Sequence, residues 1–357
     1  MQPDSVPYSI PVPNNMGLMR YVLALSVVVA HFNELAGADI PWPVSSYDGV
    51  GGFFALSGFL IYGSFLRRPR LGSYIASRAR RLLPAYATTV VFFALVLAAV
   101  SSLPAIEYFT GRDFWAYLGA NLSFLNFLHP TLPGVFEGMD IRAVNGSLWT
   151  MKVEWFLYLS VPLAFLLLRR FSRHVLTVLS SIYILSVVYR LGMLQLYDYG
   201  GREIYLLLSR QFLGQLMFFY SGVFCYFYFS TLMRRRLAVA AASLAVLLLL
   251  PYAPVWLDIA LKPAALAVFV IVCSMSGPAL TREGRRDNIS YNIYLVHYPL
   301  VQLCAWFGLR HTLGTWGAFF LTLAATVALS LAINILVERP LHRKSRRPSH
   351  PQHPKQQ

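Results

Sequence analysis

Ten apolar runs, each close to the length a helix needs to cross a bilayer, constrain this chain more than any other feature. They lie near residues 17–36, 49–66, 83–102, 147–168, 174–190, 206–230, 237–253, 260–278, 289–307 and 315–337. A helix rises about 1.5 Å per residue, so about 20 apolar residues cover the hydrocarbon core. The chain therefore reads as an all-α, polytopic integral membrane protein with about ten transmembrane helices. A single membrane domain, 16–340, is flanked by two tails. The first, 1–15, is polar and proline-rich. The second, 341–357, is basic and holds too few apolar residues to fold, so it is expected to be disordered. Segment 113–128, DFWAYLGANLSFLNFL, is aromatic but too short to cross. It reads as interfacial or re-entrant within the long connection 103–146.

Composition enters where partners are at issue. Only 13% of the 357 residues are charged and 57% are hydrophobic, whereas a soluble domain carries about 25% charged residues. A net charge of +15 raises nucleic acid as a partner, but the placement of the charges argues against it. They form short clusters between apolar runs, the pattern that orients membrane proteins. With both termini in the cytoplasm, 22 of the 30 Lys and Arg residues fall on the inner side. The basic tail can also touch anionic lipid. Cys225, Cys273 and Cys304 lie in apolar stretches without ligand spacing, so neither a disulfide framework nor a metal site is indicated. Residues 1–15 lack a basic leading region and a cleavage site, and read as a cytoplasmic tail.

The polar residues inside the apolar runs carry the functional argument. The first run, MGLMRYVLALSVVVAHF, holds Arg20 and His31. Eleven residues of helix are about 16 Å and almost three turns, so the two share a face. Ionisable groups within a span face a protein interior or a watery cavity. The simpler reading has Arg20 snorkelling at the inner end and His31 packed and hydrogen-bonded. The second run, GVGGFFALSGFLI, places small residues where helices pack closely. Six arginines then fall within fifteen residues, from Arg67 to Arg81. Orientation alone explains some of them, yet six exceed that need. Arg78 and Arg81, three apart on one helix face, suit a bidentate anion cradle. In NGSLWTMKVEWFLY, Glu154 needs a partner, either Lys152 or the interior that Arg20 and His31 face. ISYNIYLVHYP puts His297 in mid-helix among Tyr291, Tyr294 and Tyr298, an arrangement that also fits a structural histidine. VERPL, 337–341, offers Glu338 and Arg339 as an interface anchor or a salt bridge.

Taken in order, these motifs resemble the type 3 membrane acyltransferases over about residues 16 to 341. The resemblance implies an enzyme of a bacterial inner (plasma) membrane. Such an enzyme moves an acyl group, commonly acetyl, from cytoplasmic acyl-CoA to a hydroxyl of a glycan or small molecule. Acyl-CoA (acetyl-CoA) is then a co-substrate, with no permanently bound cofactor. The resemblance implies catalytic roles for His31, Arg20 and Glu154, and donor binding by Arg78, Arg80 and Arg81. It adds His297, Tyr294 and Trp149 as a possible further site. One position departs: many members carry an aspartate before the Phe-Phe of the second span, where this chain has Gly51. Asp48, three residues earlier, is not assumed to replace it. Within this reading His31 is a general base or takes the acyl group itself, with Glu154 orienting the imidazole. Self-acylation followed by hand-over to a partner is a further form of the same chemistry. The reading from another class is a transporter or flippase for a glycan or lipid intermediate, against which stands the absence of paired broken helices.

Overall fold

The computed structural model describes residues 14–280 and 288–344. Every regular element among them is helical. In chain order these are α1 (Met16–Ala36), α2 (Ser46–Arg67), α3 (Leu71–Val96), α4 (Ala105–Thr110), α5 (Arg112–Leu122) and α6 (Trp149–Arg170). Then come α7 (Val175–Gly200), α8 (Glu203–Ser209), α9 (Phe212–Phe227), α10 (Phe229–Arg234) and α11 (Arg236–Leu249). The last are α12 (Val255–Met275), α13 (Ser290–Trp306), α14 (Leu309–Ile333) and α15 (Arg339–Lys344).

Seven of these helical stretches are long and apolar enough to cross a membrane. The three other apolar runs of the sequence are filled by shorter helices: α9 with 16 residues, α11 with 14 and α13 with 17. The α9 helix is apolar nearly all round and buried nearly all round, as a central helix must be. It packs against α2 so closely that a side chain at Gly58 would overlap the Phe219 carbonyl, and one at Gly222 would overlap that of Ala55. The small residues of the second span thus meet a second set of small residues.

Some boundaries differ from the sequence reading. The helix that carries the arginines begins at Leu71, well ahead of the apolar run at 83–102, and holds Arg78, Arg80 and Arg81 in its first three turns. The hydrophobic count misses this turn because arginine masks its helical face. The fifth run extends to Gly200, ten residues further than its apolar core. Asn15, placed in the N-terminal tail by composition, is tied down. Its backbone N–H donates to Ser274 O at 2.8 Å, and its side chain bonds Pro278 O and the Leu280 N–H. The expected inner-side residues Arg282, Arg285 and Arg286 lie outside the described residues, as do 1–13 and the tail from 345 onward. Leu341 to Lys344, assigned to the disordered tail, complete α15.

The 103–146 connection starts with the short helices α4 and α5 and then runs down into the bundle. The side-chain amide of Gln302 donates to the carbonyls of Ile141 and Ala143. Further along, Asn145 Nδ2 donates to Leu295 O at 2.8 Å. Pro299 explains this contact. It has no N–H, so the carbonyl four residues back, that of Leu295, lacks its helical donor. In a membrane such a group must be satisfied from elsewhere. The same logic recurs in α6, where Pro162 frees the carbonyl of Tyr158 and the Tyr74 hydroxyl donates to it at 2.9 Å. The segment expected to be interfacial or re-entrant, 113–128, forms α5 and the turns after it, and the part that enters the bundle is the one after residue 128.

Candidate functional site

Helices α1, α2, α3, α6 and α13 surround a cavity. Arg20 reaches it from α1, Arg78 and Arg81 from α3, Glu154 from α6, and Tyr291 and Tyr294 from α13. The three arginines gather here because α3 places 78 and 81 on one face and α1 runs beside α13. The floor is Phe53 and Tyr294, whose rings meet edge to face at 6.2 Å.

Each charged group has a distinct footing. Arg81 Nη1 donates to Glu338 Oε1 at 3.1 Å. The other carboxylate oxygen of Glu338 accepts from Asn292 Nδ2 at 2.9 Å and Asn334 Nδ2 at 3.0 Å. Thus Glu338 is the salt-bridge partner that VERPL offered, held by a π-turn over Asn334–Glu338. Arg78 is buried to nine-tenths, donates to Ser77 Oγ at 3.1 Å, and has a buried Nε without an acceptor. Glu154 accepts from the Tyr158 hydroxyl and feels the charges of Arg81, Arg20 and Arg78. Of its two expected partners, the arginine-lined interior is the one it faces. Lys152 turns the other way, with Nζ over the Phe127 ring at 4.6 Å. Arg80 lies on the exposed face of α3, outside the cavity, its Nε donating to Ala76 O.

His31 does not line the cavity. It sits one turn beyond the floor, its Nδ1 2.8 Å from Nε2 of His297. The Nδ1 of His297 is 3.1 Å from the Ile293 carbonyl. For two neutral rings these distances assign the protons. A carbonyl only accepts, so His297 Nδ1 carries hydrogen; its neutral ring then presents a bare Nε2. His31 Nδ1–H donates to that nitrogen, which leaves a lone pair on His31 Nε2. Tyr298 packs edge-on to His31 at 5.0 Å, and Tyr294 lies 5.8 Å from His297. The imidazole's neighbour is therefore His297, whereas Glu154 belongs to the arginine cavity.

The remaining sequence candidates separate cleanly. Tyr294 lines the cavity, its hydroxyl 2.8 Å from Thr150 Oγ1 and donating to Ser147 O at 3.1 Å. Trp149 lies on the far side of α6 and lines a different recess. The Gly51 departure has a steric cause: a Cβ there would come within 2.5 Å of the Phe218 ring. An aspartate at this position would collide. Asp48 sits at the α2 N-terminus, bonded to Ser45 and facing Lys262, so it does not take its place. Tyr158, Asn292 and Asn145 were not singled out from the sequence. The signal for the last was a proline four residues after a lone carbonyl, legible only once Pro299 was known to be helical.

A family described as an acyltransferase domain matches residues 14–335. Nodulation protein 10 of Rhizobium leguminosarum bv. viciae is 25% identical over 350 residues, covering 92% of each chain. An O-acetyl transferase of Shigella phage Sf6 is 27% identical over 150 residues, 41% of this chain and 44% of the phage protein. No solved structure matches.

Proposed function

The chain belongs to the acyltransferase family, a multi-pass membrane acyl- or acetyltransferase, and on that premise we propose that it takes the acyl group from cytoplasmic acyl-CoA at a bacterial inner membrane and delivers it to a glycan hydroxyl through His31. The observation that carries this reading is the juxtaposition of a positively charged cavity with a histidine pair one turn beyond its floor. Acyl-CoA has the matching shape: polyanionic at one end, an extended thioester arm at the other. Arg78, Arg81 and Arg20 would hold the phosphates. The arm would pass Phe53 and Tyr294 to reach His31.

There His31 Nε2 takes the proton of the acceptor hydroxyl as its oxygen attacks the thioester carbonyl. The C–O bond forms, the C–S bond breaks, and the departing thiolate recovers the proton from His31. His297, by accepting from His31 Nδ1–H, holds the ring in the tautomer that leaves Nε2 free and supports the imidazolium. It is a positioning residue, as the carboxylate is in hydroxyl-activating triads.

The test uses purified protein with radiolabelled acetyl-CoA and candidate glycans, reading free CoA and label in the glycan. Label on His31 when acceptor is withheld identifies an acyl carrier; transfer with no such label identifies a general base. Movement of a glycan across vesicles without consumption of acetyl-CoA would replace this reading with transport.

A further inference from the structure

A second recess opens on the face of α6 turned away from the arginine cavity. Its ionisable lining residues are Lys152 and Arg210, and no Asp or Glu lines it. Among the described residues neither cation has a carboxylate within 4 Å. Asn126, nine-tenths buried, lines the same recess, and its side chain makes no hydrogen bond among the described residues. The opposite wall is aliphatic. Ile204 and Leu207 are half-exposed and Leu208 is a third exposed, on the short helix α8.

The recess ends one ring from the histidine pair. Gly146 in its lining packs against Tyr298, and a side chain there would come within 2.7 Å of that ring. The same ring packs edge to face on His31. The donor cavity and this recess thus lie on two faces of α6, each near the histidine pair, the recess with Tyr298 between.

We propose that this recess is the acceptor site and that the acceptor is an anionic amphiphile: a saccharide joined through phosphate to a hydrocarbon chain. The assignment rests on the acyltransferase reading above. The chain lies along Ile204, Leu207 and Leu208, and the phosphate meets Lys152 and Arg210. Cations set directly beside an aliphatic wall match the junction of headgroup and chain, where a lipid phosphate sits. A sugar carboxylate would instead lie away from the chain. Trp149, lining the recess, supplies a ring face for the saccharide. The hydroxyl directed at Tyr298 and His31 loses its proton to His31 Nε2 and gains the acyl group, with CoA thiol released.

Binding tests this without the donor. Protein in phosphatidylcholine nanodiscs is titrated with radiolabelled geranylgeranyl phosphate, with geranylgeraniol and inorganic phosphate as competitors. Saturable binding is expected, with each competitor at least tenfold weaker. Lys152→Gln combined with Arg210→Gln should weaken probe binding at least tenfold. Equal competition by the neutral alcohol, or unchanged affinity in the double variant, overturns the anionic contact. Equal competition by inorganic phosphate overturns the amphiphile in favour of a soluble anion. If the double variant fails to insert, the competition on unaltered protein decides. Probe binding by a protein that consumes no acetyl-CoA would sink the enzyme reading, whereas acetyl transfer without probe binding would sink this site alone.

Discussion

Two charged clusters inside the helix bundle are built on opposite plans. At one end of α2, Lys262 lies 2.7 Å from Asp258 and 3.7 Å from Asp48. Arg190 stacks on Tyr47 at 4.3 Å, bonds its hydroxyl, and feels the charges of Arg210 and Asp258. Lys262 is thus paired with two acids, and Arg190 is held by a tyrosine. In the arginine cavity, Arg20, Arg78 and Arg81 face Glu154, and Glu338 behind Arg81 still leaves positive charge in excess. Charge within a membrane is costly, and pairing offsets the cost. A cluster whose charges are paired needs nothing more to be stable. A cationic surplus with room beside it is what the proposed anionic donor would complete. Under that proposal, the difference separates groups that hold helices together from groups that meet substrate.

The largest expected effect comes from His31→Ala. Transfer should fall by about 10²–10⁴-fold while the protein still inserts, and His31→Gln should not restore it, because an amide takes no proton. Initial rates of CoA release measure this; near-normal turnover would leave the histidine a packing residue. Lys262→Ala tests the paired cluster. It strands two carboxylates, so a loss of stability of about 3 kcal/mol is expected, seen as a lower midpoint in thermal unfolding, with the donor KM unchanged. A donor effect there would erase the distinction between the two regions.

Arg78→Ala should raise the donor KM about tenfold or more, since a hydrogen bond to a charged group is worth roughly 1.5–3 kcal/mol. Inverted topology with normal donor affinity would show that the arginine only orients the chain. Glu338→Ala releases Arg81 and should raise the donor KM a few-fold, with Glu338→Gln closer to the unaltered protein because the amide oxygen still accepts. Arg80→Ala sits at the bottom of the scale. From its exposed face, a change within about twofold is expected in the same assay; a rise matching that of Arg78 would place the donor over a wider surface than the cavity.

The sequence by itself determined the class of molecule. Apolar runs of span length leave a lipid-embedded chain no option but helices, and their order placed Arg20, Arg78, Arg81, Glu154 and His297 in the right helices. Periodicity also put Arg78 and Arg81 on one face, because 3.6 residues per turn is a local property. The family resemblance grouped Arg80 with its neighbours, and only the structure put it on the exposed face of α3. What only the tertiary structure decided is who meets whom. His31 finds His297 across 266 positions of chain, and Arg81 finds Glu338 across 257. No spacing rule connects such pairs, since their proximity depends on how α1, α3, α13 and the last turn of the bundle pack. Glu154 and Lys152, two residues apart, were the natural ion pair on paper. A helix turns residues two apart to nearly opposite sides, and the packing of α6 sends one to the arginines and the other to the recess beside α8.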